Sequence, residues 1–175
     1  MTILRLILGD QLNLRHRWFS ETADDIVYVF MEVRQETDYV LHHAQKILAI
    51  FAAMRDMARQ LKEQGHRVHY LTIDDATNLQ SLPANIDYLI THYQAISFEY
   101  QAPDEWRLDQ QLYEHGRRSP VAWVMVDSEH FYTTRSEAAD IFTGRRQWLM
   151  EYFYRQMRVK HQILMEDAKK PAGGQ

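Results

Sequence analysis

ILAIFAAMRDMARQLKEQGHRVHYLTI, residues 47–73, holds a helical pattern that ends at a glycine and passes directly into a strand pattern. Gly65 suits the end of this helix, because glycine adopts the left-handed conformation without a clash of a Cβ atom. The run Arg67–Ile73, rich in branched and aromatic residues, then predicts a strand. The apolar residues of the helix recur at the three- and four-residue steps of one helix face, and they are Tyr39, Ile47, Ile50, Phe51, Met54, Ala58 and Leu61.

Short apolar runs on either side of this stretch predict four further strands. They are Leu4–Leu8, Ile26–Met31, Ile86–Ile90 and Val121–Val126. Weaker helical patterns cover Asp104–His115 and part of Ser136–Phe142. Several strands are apolar on both faces, as strands covered by helices are. The alternation of strands and helices predicts the α/β class, with a doubly wound, mostly parallel five-stranded sheet and helices on both faces.

Composition limits the functions open to this chain. Its 175 residues suit one ordinary domain, and a net charge of −4 argues against a surface that binds nucleic acid throughout. Because the sequence has no cysteine, disulfides, thiolate nucleophiles, iron–sulfur clusters and cysteine zinc sites are excluded from it. We find neither a signal peptide nor an apolar stretch of about 20 residues. We therefore expect no membrane contact and a cytoplasmic location.

The segment after the first predicted strand reads Gly9-Asp10-Gln11. Ligands of open parallel sheets bind beyond the carboxyl ends of the strands, near the point where the strand order reverses. Gly9 would let the backbone approach such a ligand, and the side chains of Asp10 and Gln11 would form hydrogen bonds with it. The alternative is an ordinary turn in which Asp10 caps a helix. Both interpretations stay open at this point.

A second candidate segment follows the strand Ile26–Met31. On a helix, Tyr39, His43, Lys46 and Ile50 would share one face, with Glu36 one turn earlier. An acid, an aromatic ring, an imidazole and an ammonium group on one stripe could line a pocket for a flat heterocycle. The alternative is ordinary surface ion pairing, with acidic residues at a helix start.

Other catalytic or metal-binding arrangements find little support. The adjacent His42 and His43 would point about 100° apart on a helix, so they would not chelate one metal ion easily. No known zinc-ligand spacing and no Gly-x-Ser-x-Gly motif occurs in the sequence. We predict neither a metal site nor a nucleophilic serine.

A final helix is predicted over Arg145–Met165, after Thr143 as its N-cap. Its apolar residues point in too many directions for one buried face, which favours a second surface supplied by another domain. The alternative is a helix buried within this domain's own core. Arg145 and Arg146 would oppose the helix dipole, so we interpret them as contacts to phosphates or to carboxylates of a neighbouring domain, with a solvated pair as the alternative.

Several stretches, taken together, resemble one family. They are LILGDQL at 6–12, MEVRQETDYVLHHAQKI at 31–47, AMRDMARQLKEQGHRVHYLTIDD at 53–75, APDEWRL at 102–108, GRRQWLMEYFYRQMRVKHQILM at 144–165 and PAGG at 171–174. In their content and order the chain resembles the photolyase-related, iron–sulfur-containing bacterial cryptochromes and (6-4) photolyases. The similarity covers nearly the whole chain.

This resemblance implies a Rossmann-like antenna domain over residues 1–166 and a linker over residues 167–175. The linker would lead to a carboxyl-terminal domain that holds FAD, the iron–sulfur cluster and the DNA-lesion site, so DNA would be bound only by the full-length protein. The antenna would be a lumazine, 6,7-dimethyl-8-ribityllumazine. Met31, at the end of the second predicted strand, is larger than the residue that the resemblance leads us to expect at this position. The residues that the resemblance assigns to the antenna pocket are Gly9, Asp10, Gln11, Glu36, Tyr39, His43 and Ile50.

Two hypotheses for the function follow. The first is a light-harvesting module, itself not catalytic, of a flavoprotein that repairs DNA with light or senses blue light. The second is a stand-alone α/β nucleotide-binding protein or enzyme that uses the cleft at the strand ends. The apolar last helix favours the first hypothesis, because the second gives no reason for apolar side chains on so many sides of that helix. Without its partner domain the chain should self-associate, as a two-fold dimer.

Overall fold

The computed structural model describes residues 1–173. The chain divides into two compact units, Met1–Ser128 and Glu129–Gln175. The last two residues of the predicted linker, 174 and 175, lie outside the described residues. The predicted division into residues 1–166 and 167–175 stays a prediction.

A parallel sheet forms the first unit. Across residues 1–173 its strands are β1 (Thr2–Leu6), β2 (Ile26–Met31), β3 (Arg67–Leu71), β4 (Ala95–Gln101) and β5 (Ala122–Val126). They lie in the order β3-β2-β1-β4-β5, and every adjacent pair is parallel. β2 and β3 therefore follow each other on one side of β1, and β4 and β5 follow each other on the other side. The predicted α/β class with a doubly wound five-stranded sheet is confirmed.

Helices pack on both faces of this sheet. The first unit contains α1 (Arg34–Asp38), α2 (Ala44–Glu63), α3 (Leu82–Tyr93), α4 (Trp106–Gly116) and a 3₁₀ turn at Arg17–Phe19. Alternate residues of β2 belong to two hydrophobic clusters, as the two-residue period of a strand requires. Val27 and Val29 pack with residues of α3 and α4, whereas Tyr28 and Phe30 pack with residues of α2.

One predicted strand is wrong. Ile86–Ile90 lies within α3, and the fourth strand is Ala95–Gln101 instead. A short apolar run suits a buried strand and a buried helix equally well, so the pattern alone could not separate them. The fourth strand was missed because Glu99 interrupts its apolar run, but the structure pairs this carboxylate with Arg5 of β1 at 2.8 Å.

The helix predicted from Tyr39 onward begins only at Ala44, because α1 ends at Asp38 and residues 39–43 form a break between α1 and α2. His43 has an extended backbone conformation, and its side chain accepts a hydrogen bond from the backbone N–H of Gln45, so it caps the start of α2. The predicted end of the helix is confirmed, since Gly65 follows α2 with a φ of +91°.

The second unit contains α5 (Glu137–Phe142) and α6 (Met150–His161). The last helix is thus shorter than predicted, and Thr143 caps the end of α5 rather than the start of α6. Arg145 and Arg146 precede α6, so the helix-dipole argument does not apply to them. The guanidinium of Arg145 lies over the ring of Tyr152, 3.4 Å from its centroid.

The side chains of α6 are not buried in a core of this chain. Within Met150–His161 no residue is buried, and Trp148 just before the helix is 71% exposed. The alternative of a helix enclosed by its own domain is therefore wrong. Among residues 129–173 the apolar side chains that stay exposed near the helix are Trp148, Leu149, Met150, Tyr154, Ile163 and Leu164.

A buried carboxylate joins three elements of the first unit. Glu32, which follows β2, has no exposed side-chain surface and accepts two hydrogen bonds from the guanidinium of Arg55 on α2, at 2.6 and 2.8 Å. Its oxygens also accept hydrogen bonds from the hydroxyl of Tyr70 and the backbone N–H of Ile73. Burial alone would raise the pKa of Glu32, but these hydrogen bonds hold the pKa below its usual value.

Replacing this carboxylate should weaken the fold in a pH-dependent way. Glu32→Gln should lower the free energy of unfolding at pH 7 by about 1–3 kcal/mol, because buried donors lose a charged acceptor. A lowered folded-state pKa stabilises the protein above the unfolded-state pKa of about 4.3, and this stabilisation is lost as the pH falls below it.

Urea unfolding at pH values from 7 to 3 measures both effects. The difference between parent and Glu32→Gln should shrink toward pH 3. Glu63→Gln, at an exposed ion pair with Arg59, is the matched control and should change stability little. A constant difference across this range would show that Glu32 does not titrate in the way described.

Candidate functional site

A cavity of about 290 Å³ lies beyond the carboxyl ends of β1 and β2 in the first unit. This is the edge of the sheet at which the strand order reverses, since β2 and β4 lie on opposite sides of β1. The volume is near the lower end of the range for small-molecule pockets. The cavity can therefore enclose a compact ring system.

Apolar side chains form most of the cavity wall. They come from the end of β1, from β2 and from helices on both sides of the sheet: Ile7, Leu8, Met31, Val33, Ile47, Ile50, Phe51, Met54, Leu82 and Leu108. The polar residues that line it are Asp10, Glu36, Thr37, His42, Lys46 and Glu105, and Tyr39 adds an aromatic ring. Such a lining suits a flat, largely apolar ligand with a few hydrogen-bonding groups.

Five of the seven residues predicted for a pocket line this cavity. They are Gly9, Asp10, Glu36, Tyr39 and Ile50. The structure thus brings the segment after β1 together with the segment after β2, as the sequence interpretation expected. That these residues bind a cofactor stays a prediction.

Gln11 and His43 do not line the cavity. Gln11 is buried, with its Oε1 accepting from the backbone N–H of Leu8 and its Nε2 donating to the carbonyl of Gln101, both at 3.2 Å. It therefore joins the loop after β1 to the end of β4. His43 caps α2, and the break in the helix puts the neighbouring His42 at the cavity instead.

His42 belongs to a small cluster at this break. Its ring lies edge-on to Tyr39, with 5.1 Å between centroids, and its Nδ1 is 3.4 Å from Nζ of Lys46. The single helix stripe of Tyr39, His43, Lys46 and Ile50 is therefore not present as predicted. No spacing pattern could have identified His42, because it precedes α2 and helix-face spacing does not apply to it.

The residues at the start of α4 were missed by the sequence interpretation of the pocket. Glu105 and Leu108 line the cavity, and the guanidinium of Arg107 donates hydrogen bonds to the carboxylate of Glu36 at 3.0–3.2 Å. These residues belong to the stretch APDEWRL, which carried the family resemblance but shows no binding pattern of its own. The start of α4 follows β4 in the chain, and it comes next to α1 only when β4 has taken its place beside β1 in the sheet.

Gly9, in the loop after β1, lies close to α2. A Cβ atom at this position would lie 2.8 Å from Cγ2 of Ile50 and 3.2 Å from Sδ of Met54. The first distance is shorter than side chains tolerate, so glycine is required by the close approach of the two elements. The same contact forms part of the cavity wall.

Three further features of the chain can be stated. Within residues 1–173, no three His, Asp or Glu side chains converge to hold a metal ion, and no helix there is long and apolar enough to span a membrane. Since the sequence has no cysteine, the thiolates that hold an iron–sulfur cluster cannot come from this chain.

The fold and the cavity together define an α/β domain with a ligand-sized pocket at the reversal point of a parallel sheet. Residues 5–175 match the family model described as deoxyribodipyrimidine photo-lyase-related protein. The chain belongs to this photolyase-related family, as its resemblance predicted.

A known relative agrees with this assignment. The chain is 34% identical over 176 residues to a protein named (6-4) photolyase from Agrobacterium fabrum (strain C58 / ATCC 33970). The alignment covers 99% of this chain and 34% of the relative. The chain therefore spans about a third of the length of the relative that it matches.

The tight contact at Gly9 can be tested by adding a single methyl group. Gly9→Ala should lower the free energy of unfolding by about 1–3 kcal/mol, because a new Cβ atom overpacks the contact with Ile50. In an Ile50→Ala background the same substitution should cost less, since the opposing Cγ2 atom has been removed. Urea unfolding of the parent, the two single variants and the double variant measures the coupling, and additive effects would contradict the contact.

Proposed function

We propose that this chain is the antenna domain of a photolyase-related flavoprotein and that it binds a lumazine chromophore in the cavity beyond β1 and β2. The observation that carries the proposal is the convergence of Gly9, Asp10, Glu36, Tyr39 and Ile50 on one cavity. These are residues that the family resemblance assigns to the antenna pocket. Their positions after two adjacent strands support a single ligand rather than scattered surface contacts.

The lining fits the chemistry of 6,7-dimethyl-8-ribityllumazine. Ile50, Met31 and Leu108 offer apolar surface to the two fused rings and their methyl groups. The carboxylates of Asp10 and Glu36 would accept hydrogen bonds from ribityl hydroxyls or a ring N–H. When bound, the lumazine would absorb light and pass the excitation energy to a flavin.

The remaining parts of this function belong to another part of the protein. In this proposal a carboxyl-terminal domain holds FAD, the iron–sulfur cluster and the DNA-lesion site. The length of the relative and the lack of cysteine in this chain support that division. The full-length protein would repair (6-4) lesions with light or sense blue light in the cytoplasm, and it alone would bind DNA.

The second unit would contribute the contact with that domain. Trp148 and Leu164 are each 71% exposed, and Leu149, Met150 and Tyr154 are more than half exposed. So many exposed apolar side chains around one helix are typical of a surface that another protein segment covers. We propose that the FAD domain of the same protein covers it.

Lumazine binding by the chain tests the antenna proposal. When 6,7-dimethyl-8-ribityllumazine is titrated with the purified protein, the fluorescence of the lumazine should be quenched or shifted. Binding should saturate at one ligand per chain. Glu36→Ala should weaken binding by about ten- to a hundredfold, because a charge-assisted hydrogen bond contributes roughly 1.5–3 kcal/mol.

Glu63→Ala, at an exposed position near the end of α2, is the matched control and should bind like the parent. FAD and AMP serve as comparison ligands. Failure of the parent to bind the lumazine would overturn the antenna proposal, whereas stoichiometric binding of AMP alone would favour a stand-alone nucleotide-binding protein. Stoichiometric binding of FAD would contradict the division between the domains.

The proposed contact surface predicts self-association of the chain in solution. Light scattering should detect a dimer whose population rises with concentration, because the exposed apolar side chains would be covered by a second copy. Leu149→Ser together with Leu164→Ser should shift the population toward monomer. Leu41→Ser, at a fully exposed leucine of the first unit, is the control, and circular dichroism checks the fold. A parent that stays monomeric at every concentration would contradict this surface.

A further inference from the structure

Arg107 lies at the start of α4 and contacts residues that line the cavity. Its Nη1 and Nη2 atoms donate to the carboxylate of Glu36, and its Nε atom donates to Oε1 of Glu105 at 3.1 Å. Its guanidinium also lies over the ring of Tyr39, 4.3 Å from the centroid. Arg107 does not line the cavity itself, so its contacts with a ligand would be indirect.

The position of Arg107 is not explained by the stability of its own helix. It occupies the first turn of α4, where a positive charge opposes the helix dipole. The guanidinium is compensated instead by the carboxylates of Glu36 and Glu105, at 3.0 Å each. These carboxylates raise the pKa of Arg107 above its usual value, despite the opposing effect of its partial burial.

The hydrogen bonds of Glu36 are unevenly distributed between its two oxygens. Oε1 accepts from both terminal nitrogens of Arg107 and from Nε2 of Gln35, whereas Oε2 accepts at 3.0 Å from Nη2 of Arg107. A carboxylate oxygen has two lone pairs, so Oε2 keeps the capacity for one further donor. Arg107 therefore contacts both oxygens of the carboxylate, and Oε2 has one acceptor position left.

A second contact fixes α1 in the same place. Gln111 lies one turn after Arg107 on α4, and its Oε1 accepts from Nε2 of Gln35 at 2.6 Å. Gln35 in turn accepts from the backbone N–H of Leu82 at the start of α3. Because α1 has only five residues, its own helical hydrogen bonds contribute little stability, and these side-chain contacts join it to α3 and α4.

We propose that Arg107 is a positioning residue for the ligand of this cavity. It holds the Glu36 carboxylate and the Tyr39 ring in the orientation in which they meet the ligand. The inference rests on the proposed function, because it assumes that a lumazine binds here. It extends that function to a residue on another helix, 71 positions away from Glu36 along the chain.

A double-mutant cycle on the whole chain separates positioning from a merely structural role. Binding of 6,7-dimethyl-8-ribityllumazine is measured for the parent, Arg107→Met, Glu36→Gln and the double variant. Arg107→Met should weaken binding about three- to tenfold in the parent background. In the Glu36→Gln background it should add less than about twofold, because the oriented carboxylate is then absent.

Two further variants complete the test. Arg107→Lys should restore part of the affinity, since an ammonium group supplies the charge but not the forked geometry of a guanidinium. Arg117→Met, at the other end of α4 beside Tyr113, is the matched control and should bind like the parent. Circular dichroism melting of each variant shows whether it is folded.

The outcomes distinguish this inference from the proposed function. A parent that does not bind the lumazine overturns both. A parent that binds, together with an Arg107→Met variant of equal affinity, overturns only the positioning role. Equal weakening by Arg107→Met in the parent and in the Glu36→Gln background would also overturn it, because Arg107 would then act on the structure without acting through Glu36.

Discussion

The ion pair of the buried Glu32 with Arg55 joins the end of β2 to α2, two parts of the chain that both contribute to the cavity wall. Glu32 stands directly after β2, the strand whose end forms part of the cavity wall, and it joins that point to α2 through Arg55 and to the end of β3 through Ile73. The backbone of Glu32 is fixed as well, since its carbonyl accepts a hydrogen bond from Asn78 at 2.7 Å. A buried charge of this kind is tolerated only when its acceptor positions are filled.

From this point the geometry of the pocket follows step by step. The chain that leaves Glu32 enters α1, reverses at the break before His43 and returns along α2, which Arg55 holds against the strand end. Residues of α1, of the break and of α2 all line the pocket, together with the segment after β1. The start of α4 adds Glu105 and Leu108 to the lining, and its first turn contacts α1 through Arg107. Rigid strand ends thus carry short, irregular segments that present the polar groups.

Sequence patterns identified the class of fold and most of the pocket on the β1 and β2 side. Gly9, Asp10, Glu36 and Tyr39 were accessible to this reasoning because each follows shortly after a recognisable strand, whereas Ile50 was reached through helix-face spacing and the family resemblance. The fourth strand was not, since the pairing of Glu99 with Arg5 cannot be read from either residue alone. Arg107 was missed for the same physical reason: its role depends on a contact between helices that are distant in sequence.

The central place of β1 in the sheet has a consequence for how the protein folds. β1 pairs with β4, and the ion pair between Arg5 and Glu99 joins positions 94 residues apart. Contacts between residues this far apart in sequence form late in folding, because closing a long loop costs chain entropy before the contact can stabilise the structure. The elements β1, β2, α1 and α2, which form one part of the pocket, all precede β4 in the chain. The wall supplied by α4 comes next to α1 only once β4 has paired with β1, so the cavity is complete only after the central strand has acquired its second neighbour.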